Sequence, residues 1–344
     1  MRIGILTSLT VANSAYRAFP LAELTGRGHE LILADADRRL DGQPLLACDV
    51  VHVYRQSDPP IRRLVRQLHD AGVGVVWDVD DDLTAEPEEV EGSWSKRGTK
   101  LQRMLSDVLA VARAADVMTT TTGAIATTYR RHGVDPVRVV ENYLPTLYAT
   151  PTARPHDGVT IGWVAANEHS HDLRHLGIKP MLERVLEANP DARVHCIGID
   201  LGLDSDRYRR DVVVEYSALG ARVAEFDVGI APLDDIPFNR ARSNVKVKEY
   251  AAAGVPWLAS PIGPYANLGE KQGGRLVPDD GWEAALTRLV RKDRERRKLA
   301  KRALEWGASQ RAARNLGAWE AVLEEAVQRA RLRSSEPRGL TAAL

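Results

Sequence analysis

A chain of 344 residues, 44% of them hydrophobic, is of ordinary globular composition and long enough to bury two cores, so two domains are expected. Lys plus Arg and Asp plus Glu both total 47, and this balance excludes a dominant electrostatic attraction to nucleic acid. No apolar run approaches the roughly 18 residues of a membrane span, and no leader precedes the first apolar run at residues 3–6, so the expectation is a soluble, cytoplasmic protein. Cys48 and Cys196 stand far apart, each beside or within apolar residues, and read as buried free thiols of a reducing compartment.

The first part of the chain alternates short apolar runs with helical segments. Strands are expected at 3–6, 30–33, 50–54, 73–77, 117–120 and 137–140, and helices at 15–26, 58–71, 101–114 and 123–132. The Pro-rich run PTLYATPTARPHDG at 145–158 breaks the pattern, and the linker is placed at 149–158. The alternation then restarts, with strands at 159–164, 194–199, 212–214, 228–230 and 255–259 and helices at 178–188, 219–225 and 245–253. Beyond Gly281 the pattern is helical, at 282–290, 293–306 and 316–331. The expected division is a Rossmann-like domain over 1–148, a second over 159–315, a terminal helix over 316–333 that returns to the first, and a tail over 334–344. Such alternation defines an α/β chain of two doubly wound parallel sheets, whose ligands bind beyond the carboxyl ends of the strands.

The stretch RSNVKVKEYAAAGVPWLASP at 242–261 reads as loop, helix, glycine, strand. Gly254 suits the left-handed position that ends a helix, and Ser243 is the expected N-cap. Lys246 and Glu249, three apart, share a face near the helix start. Free N–H groups of a first helical turn, a cation, and a carboxylate able to accept two hydroxyl hydrogen bonds together suit a nucleoside diphosphate.

The same stretch resembles the donor-binding signature of family-4 glycosyltransferases of the GT-B fold, K-S-x-x-K-x-x-E-Y-x-A-x-G-x-P. Arg242 replaces the first basic residue, while Ser243, Lys246, Glu249, Tyr250, Gly254 and Pro256 match. Other similar runs are LTGRGH at 24–29, ADV at 115–117, VEN at 140–142, IGWVAANEHSHDL at 161–173 and FDVGIAPL at 226–233. The resemblance implies two domains facing a cleft and transfer of a sugar from a nucleoside diphosphate donor with retention of configuration. No cofactor and no metal would be required. The donor base (UDP, GDP or TDP) stays open, as does the acceptor: a sugar, a lipid or a small molecule. It implies that Glu249 holds the ribose, that the amides at Asn244 and Val245 face the diphosphate, and that Arg242, Lys246 and His169 serve the reacting end. The family's further Glu, which touches the donor sugar, is replaced by Ala241. That replacement keeps two alternatives open: a sugar-nucleotide epimerase of the same fold, and a silent nucleotide-sugar-binding subunit.

Other candidates are weaker. Tyr216 is read as a stacking surface for the donor base and Asn239 as a donor contact. On the acceptor side stand Tyr16, Arg17, Arg55, Asp80 and Asp81, with the four-Thr strand end at 119–122. Asn13 and Ser14 are helix-capping candidates. Asp78-Val79-Asp80 matches the D-x-D of metal-dependent sugar transferases but reads here as an acidic lining, with Asp81 and Asp82 equally compatible with a solvated strand end. His169 has an alternative reading as a helix-start residue paired with Asp172. His169, His171, Asp172 and His175 invite a metal reading, which is not adopted because His169 need not share the face of the other two histidines. The basic segment 288–302 reads as a solvated helix face, with a peripheral membrane patch as the minor reading.

Overall fold

The computed structural model describes residues 1–8, 14–38, 42–85, 98–150 and 156–335, without the side chains of 98–102. Asn13, much of the expected linker, and the tail beyond Ser335 lie outside these residues. Contacts divide the chain into two compact units, one built from Met1–Asp80, Thr99–Glu141 and the segment from Leu316, the other built mainly from Asn142–Asn315.

The first unit carries six strands: β1 (Arg2–Thr7), β2 (Glu30–Asp35), β3 (Val50–Tyr54), β4 (Gly74–Val79), β5 (Val117–Thr120) and β6 (Val137–Val139). They form one parallel sheet in the order β2-β1-β3-β4-β5-β6. Every residue of β3, β4 and β5 is buried, which is why these strands are near-continuous apolar runs rather than alternating ones. Helices α1 (Ser14–Ala22), α2 (Pro59–Asp70), α3 (Gly98–Ala114) and α4 (Gly123–Arg131) connect them. In α2 the buried residues Ile61, Leu64, Val65 and Leu68 recur at helical spacing, and Pro sits at the helix start, where its missing N–H costs nothing.

The second unit holds β7 (Val159–Ala165), β8 (Ala192–Gly198), β9 (Tyr208–Asp211), β10 (Val228–Ala231), β11 (Trp257–Ala259) and β12 (Gly274–Leu276). These are also parallel, in the order β12-β11-β10-β7-β8-β9. Its helices are α5 (Ser170–His175), α6 (Ile178–Ala188), α7 (Tyr216–Val223), α8 (Pro237–Ala241), α9 (Val245–Ala252), α10 (Trp282–Arg291) and α11 (Asp293–Ser309). Ile161, Trp163, Leu182, Val185, Val194 and Leu286 are among the buried side chains of its core.

The last helix, α12 (Gly317–Ser335), packs across β3, β4 and β5 of the first unit. A side chain at Gly74 would stand 2.8 Å from the Ala326 carbonyl group, so only glycine lets the helix backbone come this close. No described helix is long and apolar enough to cross a membrane. Both cysteines are free and buried. Burial raises the Cys48 thiol and pushes that of Cys196 up to about 12.

Several elements differ from expectation. The strand expected at 212–214 is not formed: Val212 and Val213 are 61% and 82% exposed, and the strand is the polar edge segment β9 just before them. An outer strand has one neighbour and an open side, so it tolerates Arg and Asp where a central strand does not. The helix expected at 15–26 ends at Ala22 and continues as a 3-10 turn, Glu23–Arg27, before left-handed Gly28. Strand β12 and helix α8 are too short for their periodicity to register.

Candidate functional site

In each sheet the strand order reverses at one point, and ligands of doubly wound sheets bind there, beyond the carboxyl ends of the strands. In the second sheet the reversal falls between β7 and β10. The segment after β7 carries Glu168, His169 and Asp172, and the segment after β10 carries Asp234, Asn239 and Arg242.

Asp172, fully buried, joins the two segments. Its Oδ2 lies 2.9 Å from His169 Nδ1, while Oδ1 accepts from the Asp234 amide at 2.9 Å and from Asn239 Nδ2 at 2.8 Å. A carboxylate only accepts, so His169 carries its proton on Nδ1 and leaves Nε2 as an acceptor. That Nε2 is buried and has no hydrogen-bond partner among the described residues. Burial, followed by the charge of Arg242, holds the imidazole below its ordinary pKa against the pull of Asp172.

Arg242 donates to Glu168 Oε1 at 3.0 Å and stands 5.6 Å from the centre of the Phe238 ring. Burial alone would raise the Glu168 carboxyl, but Arg242, helped by His169 and Lys246, brings it down to about 2. Helix α9 begins directly afterwards with no side-chain cap on its N-terminus. The cap position belongs to Asn244, and the expected cap Ser243 instead accepts a hydrogen bond from Asn142 Nδ2 at 3.1 Å. Val245 opens the helix, so its amide is among the first-turn donors that no side chain takes. Lys246 Nζ lies 3.5 Å from Glu249 Oε2, and the Glu249 side chain is fully covered. Gly254, at φ +71°, ends the helix in the left-handed conformation that the sequence demanded.

The support behind α9 was not foreseen. Lys248, fully buried, donates to the Asn142 carbonyl at 2.9 Å and sits 4.5 Å from the Tyr143 ring centre. Tyr148 donates to the Glu249 carbonyl at 3.3 Å, and Tyr250 donates to the Ile230 carbonyl at 2.8 Å. The buried hydroxyl of Tyr265 is raised by burial, and the carboxylates of Asp172 and Glu249 add to this against Arg242. Glu168 and Asp234 were the recoverable omissions, because they lie inside or just past runs already singled out. Tyr216 does not follow a strand as expected; it opens α7, its ring 5.8 Å from that of Tyr148.

In the first sheet the order reverses between β1 and β3. Arg55, just beyond β3, has φ +58°, a strained conformation for a residue with a side chain. It pairs with Asp80, to which Tyr54 also donates at 2.6 Å. Arg17 is not free to meet an acceptor: it is 0% exposed, grips Asp78 through two bonds of 2.8 and 2.6 Å, and donates to the Val140 carbonyl. Trp319 covers it at 4.7 Å. Asp78 is also bound by Thr119 at 2.6 Å, and Arg17 overrides the effect of burial to hold its carboxyl well below the usual range. The two acids of the D-x-D therefore serve separate arginines. Tyr16 is buried in α1, and Asp81 is partly exposed. Ser14 is the first residue of α1, with its hydroxyl donating to the Ser8 carbonyl at 2.6 Å.

The sequence matches no protein-family profile and no curated protein. Solved structures match it over nearly its whole length. A sucrose-phosphate synthase from Thermosynechococcus elongatus is 15% identical, with 98% of this chain and 100% of that one covered at a TM-score of 0.65. Anabaena HepE, solved in complex with UDP and glucose, is 12% identical over 94% of this chain and 100% of that one, also at 0.65. A Listeria monocytogenes protein assigned as a UDP-N-acetylglucosamine 2-epimerase is 12% identical over 94% and 97%, at 0.56. The chain has the α/β fold of the GT-B glycosyltransferases.

Proposed function

We propose that this chain is a glycosyltransferase that takes a sugar from a nucleoside diphosphate donor, most like the family-4 enzymes, and that its second unit binds the donor. The observation that carries this reading is the grouping of Arg242, Lys246, Glu249 and His169 beside the reversal point of the second sheet, with the start of α9 uncapped. The diphosphate is met by the amides of Asn244 and Val245, by Lys246 and by Arg242. Glu249 accepts both ribose hydroxyls. Lys246 now lies against Glu249, so donor binding turns the ammonium toward phosphate as ribose takes its place on the carboxylate.

The unpartnered Nε2 of His169 accepts a hydroxyl of the donor sugar. The bond from the anomeric carbon to the diphosphate oxygen breaks. The acceptor oxygen bonds to that carbon on the same face, and its proton passes to the departing phosphate oxygen. Fixed positive groups stabilise the charge that develops there, so the transfer needs no metal on the phosphates. Arg55 and Asp80, at the reversal point of the first sheet, are read as acceptor contacts. The HepE complex makes UDP the first nucleotide to test.

The experiment is calorimetric titration with UDP, GDP and dTDP, followed by product analysis with the matching sugar nucleotides. Free nucleoside diphosphate formed only with an acceptor supports transfer. An isomerised sugar nucleotide formed without acceptor would replace this reading with epimerisation, and binding without either product would leave a silent subunit. No affinity for any of the three nucleotides would remove the donor site.

A further inference from the structure

His171 and His175 lie one turn apart on α5, with ring centres 4.1 Å apart and planes 23° from parallel. Asp234, from the segment after β10, brings Oδ2 to 2.8 Å from His171 Nε2. One ligand atom from each of the three side chains falls within a 4.8 Å span. We propose that His171, His175 and Asp234 bind one divalent transition-metal ion, in a site separate from the donor phosphates and independent of the donor reading.

The spacing fits. Two ligands on one tetrahedral ion with bonds of about 2.0–2.1 Å stand about 3.3 Å apart. His171 and Asp234 need to open by only a few tenths of an ångström once the ion replaces the shared proton. His175 is exposed, its ring is already stacked on that of His171, and its ligand atom already lies within the 4.8 Å span. Two imidazoles four apart on a helix, completed by a carboxylate from elsewhere, form a recognised chelating pattern.

Asp234 is also held as a ligand is held. Its amide donates to Asp172, its Oδ1 accepts from the Asp235 amide at 2.9 Å, and its carbonyl accepts from Asn239 at 2.9 Å. These bonds aim Oδ2 at the histidines, and such outer contacts set ligand orientation and affinity. Two nitrogens and one oxygen suit zinc, nickel, cobalt or copper and disfavour magnesium and calcium, which take oxygen. Three protein ligands leave a position open to water. The ion would pin α5 to the segment that leads through α8 to Arg242. The third ligand comes from far along the chain, so the histidine spacing alone did not reveal the site.

The plain reading is a hydrogen-bonded His171–Asp234 pair with His175 stacked beside it and no ion between them. The full chain, stripped with a chelator and dialysed, is titrated with zinc against a chromophoric competitor. One zinc per chain is expected. His175→Ala and Asp234→Asn should each weaken it about a hundredfold, at or beyond the cost of losing an outer-sphere partner. His132→Ala, at an exposed histidine elsewhere, should change nothing. Circular dichroism confirms that each variant is folded. Absence of stoichiometric zinc, or zinc bound equally well by wild type, His175→Ala and Asp234→Asn, would overturn the site.

Discussion

His169 Nδ1 and Asp172 Oδ2 stand 2.9 Å apart, and the other oxygen of the same carboxylate holds the Asp234 amide and Asn239. One buried acid therefore fixes the histidine ring and the start of the segment leading to Arg242. Its partners leave His169 Nε2 as the only ring atom able to accept from a donor sugar.

His169→Ala is expected to lower sugar transfer by about twofold to tenfold, the loss of one hydrogen bond between neutral groups of about 0.5–1.5 kcal/mol. UDP affinity should change little, because the nucleotide is held by Glu249 and the α9 amides. Steady-state kinetics with parallel UDP calorimetry checks this. Equal losses of transfer and UDP affinity would place His169 on the nucleotide instead.

Glu249→Gln keeps the buried shape of the side chain but removes its charge. It should weaken nucleotide binding by about 1.5–3 kcal/mol, the range for hydrogen bonds to a charged group. The measurement is calorimetric titration with UDP and with a deoxyribose analogue, which should be less sensitive to the substitution. Unaltered UDP affinity would take Glu249 out of the ribose site.

The sequence was most legible where burial is most complete. The strands at 50–54 and 117–120 were read to the residue, because both faces are covered and the buried run begins and ends with apolar or β-favouring residues. Edge elements were harder: β9 reads Tyr-Arg-Arg-Asp, while the apolar run beside it is exposed. The loop, helix and glycine around α9 were readable from local chemistry, but its cap was not. Ser243 is drawn off by Asn142, a partner that no window around Ser243 contains. Arg17 misled for a related reason: a fully buried arginine is rare, so its pattern suggests a solvent-facing role until Asp78 is found beside it.

Arg17→Met tests that pair. Removing the guanidinium leaves the Asp78 carboxylate buried without its cation, with Thr119 and His52 as the remaining neighbours. Breaking a buried pair in this way costs about 3–5 kcal/mol. Urea denaturation should show the loss, and Arg17→Met/Asp78→Leu should recover part of it by removing the stranded charge. A single variant as stable as wild type would show that the pair contributes nothing to the first unit.

The same pair sets a pH dependence. Asp78 has a folded pKa well below its value in an unfolded chain, about 3.9. A depressed carboxyl contributes stability that is fully present above the unfolded pKa and is lost as pH falls through the folded one. Wild type should therefore lose urea stability progressively below about pH 5. Without Arg17, burial dominates and raises the Asp78 carboxyl, so the sign reverses: the folded state binds the proton more readily than the unfolded chain. Arg17→Met should then gain relative to wild type as the pH falls from neutrality toward 4, which narrows the difference between them. Denaturation midpoints for both proteins across that range provide the check, and parallel pH profiles would show that Asp78 does not titrate with folding.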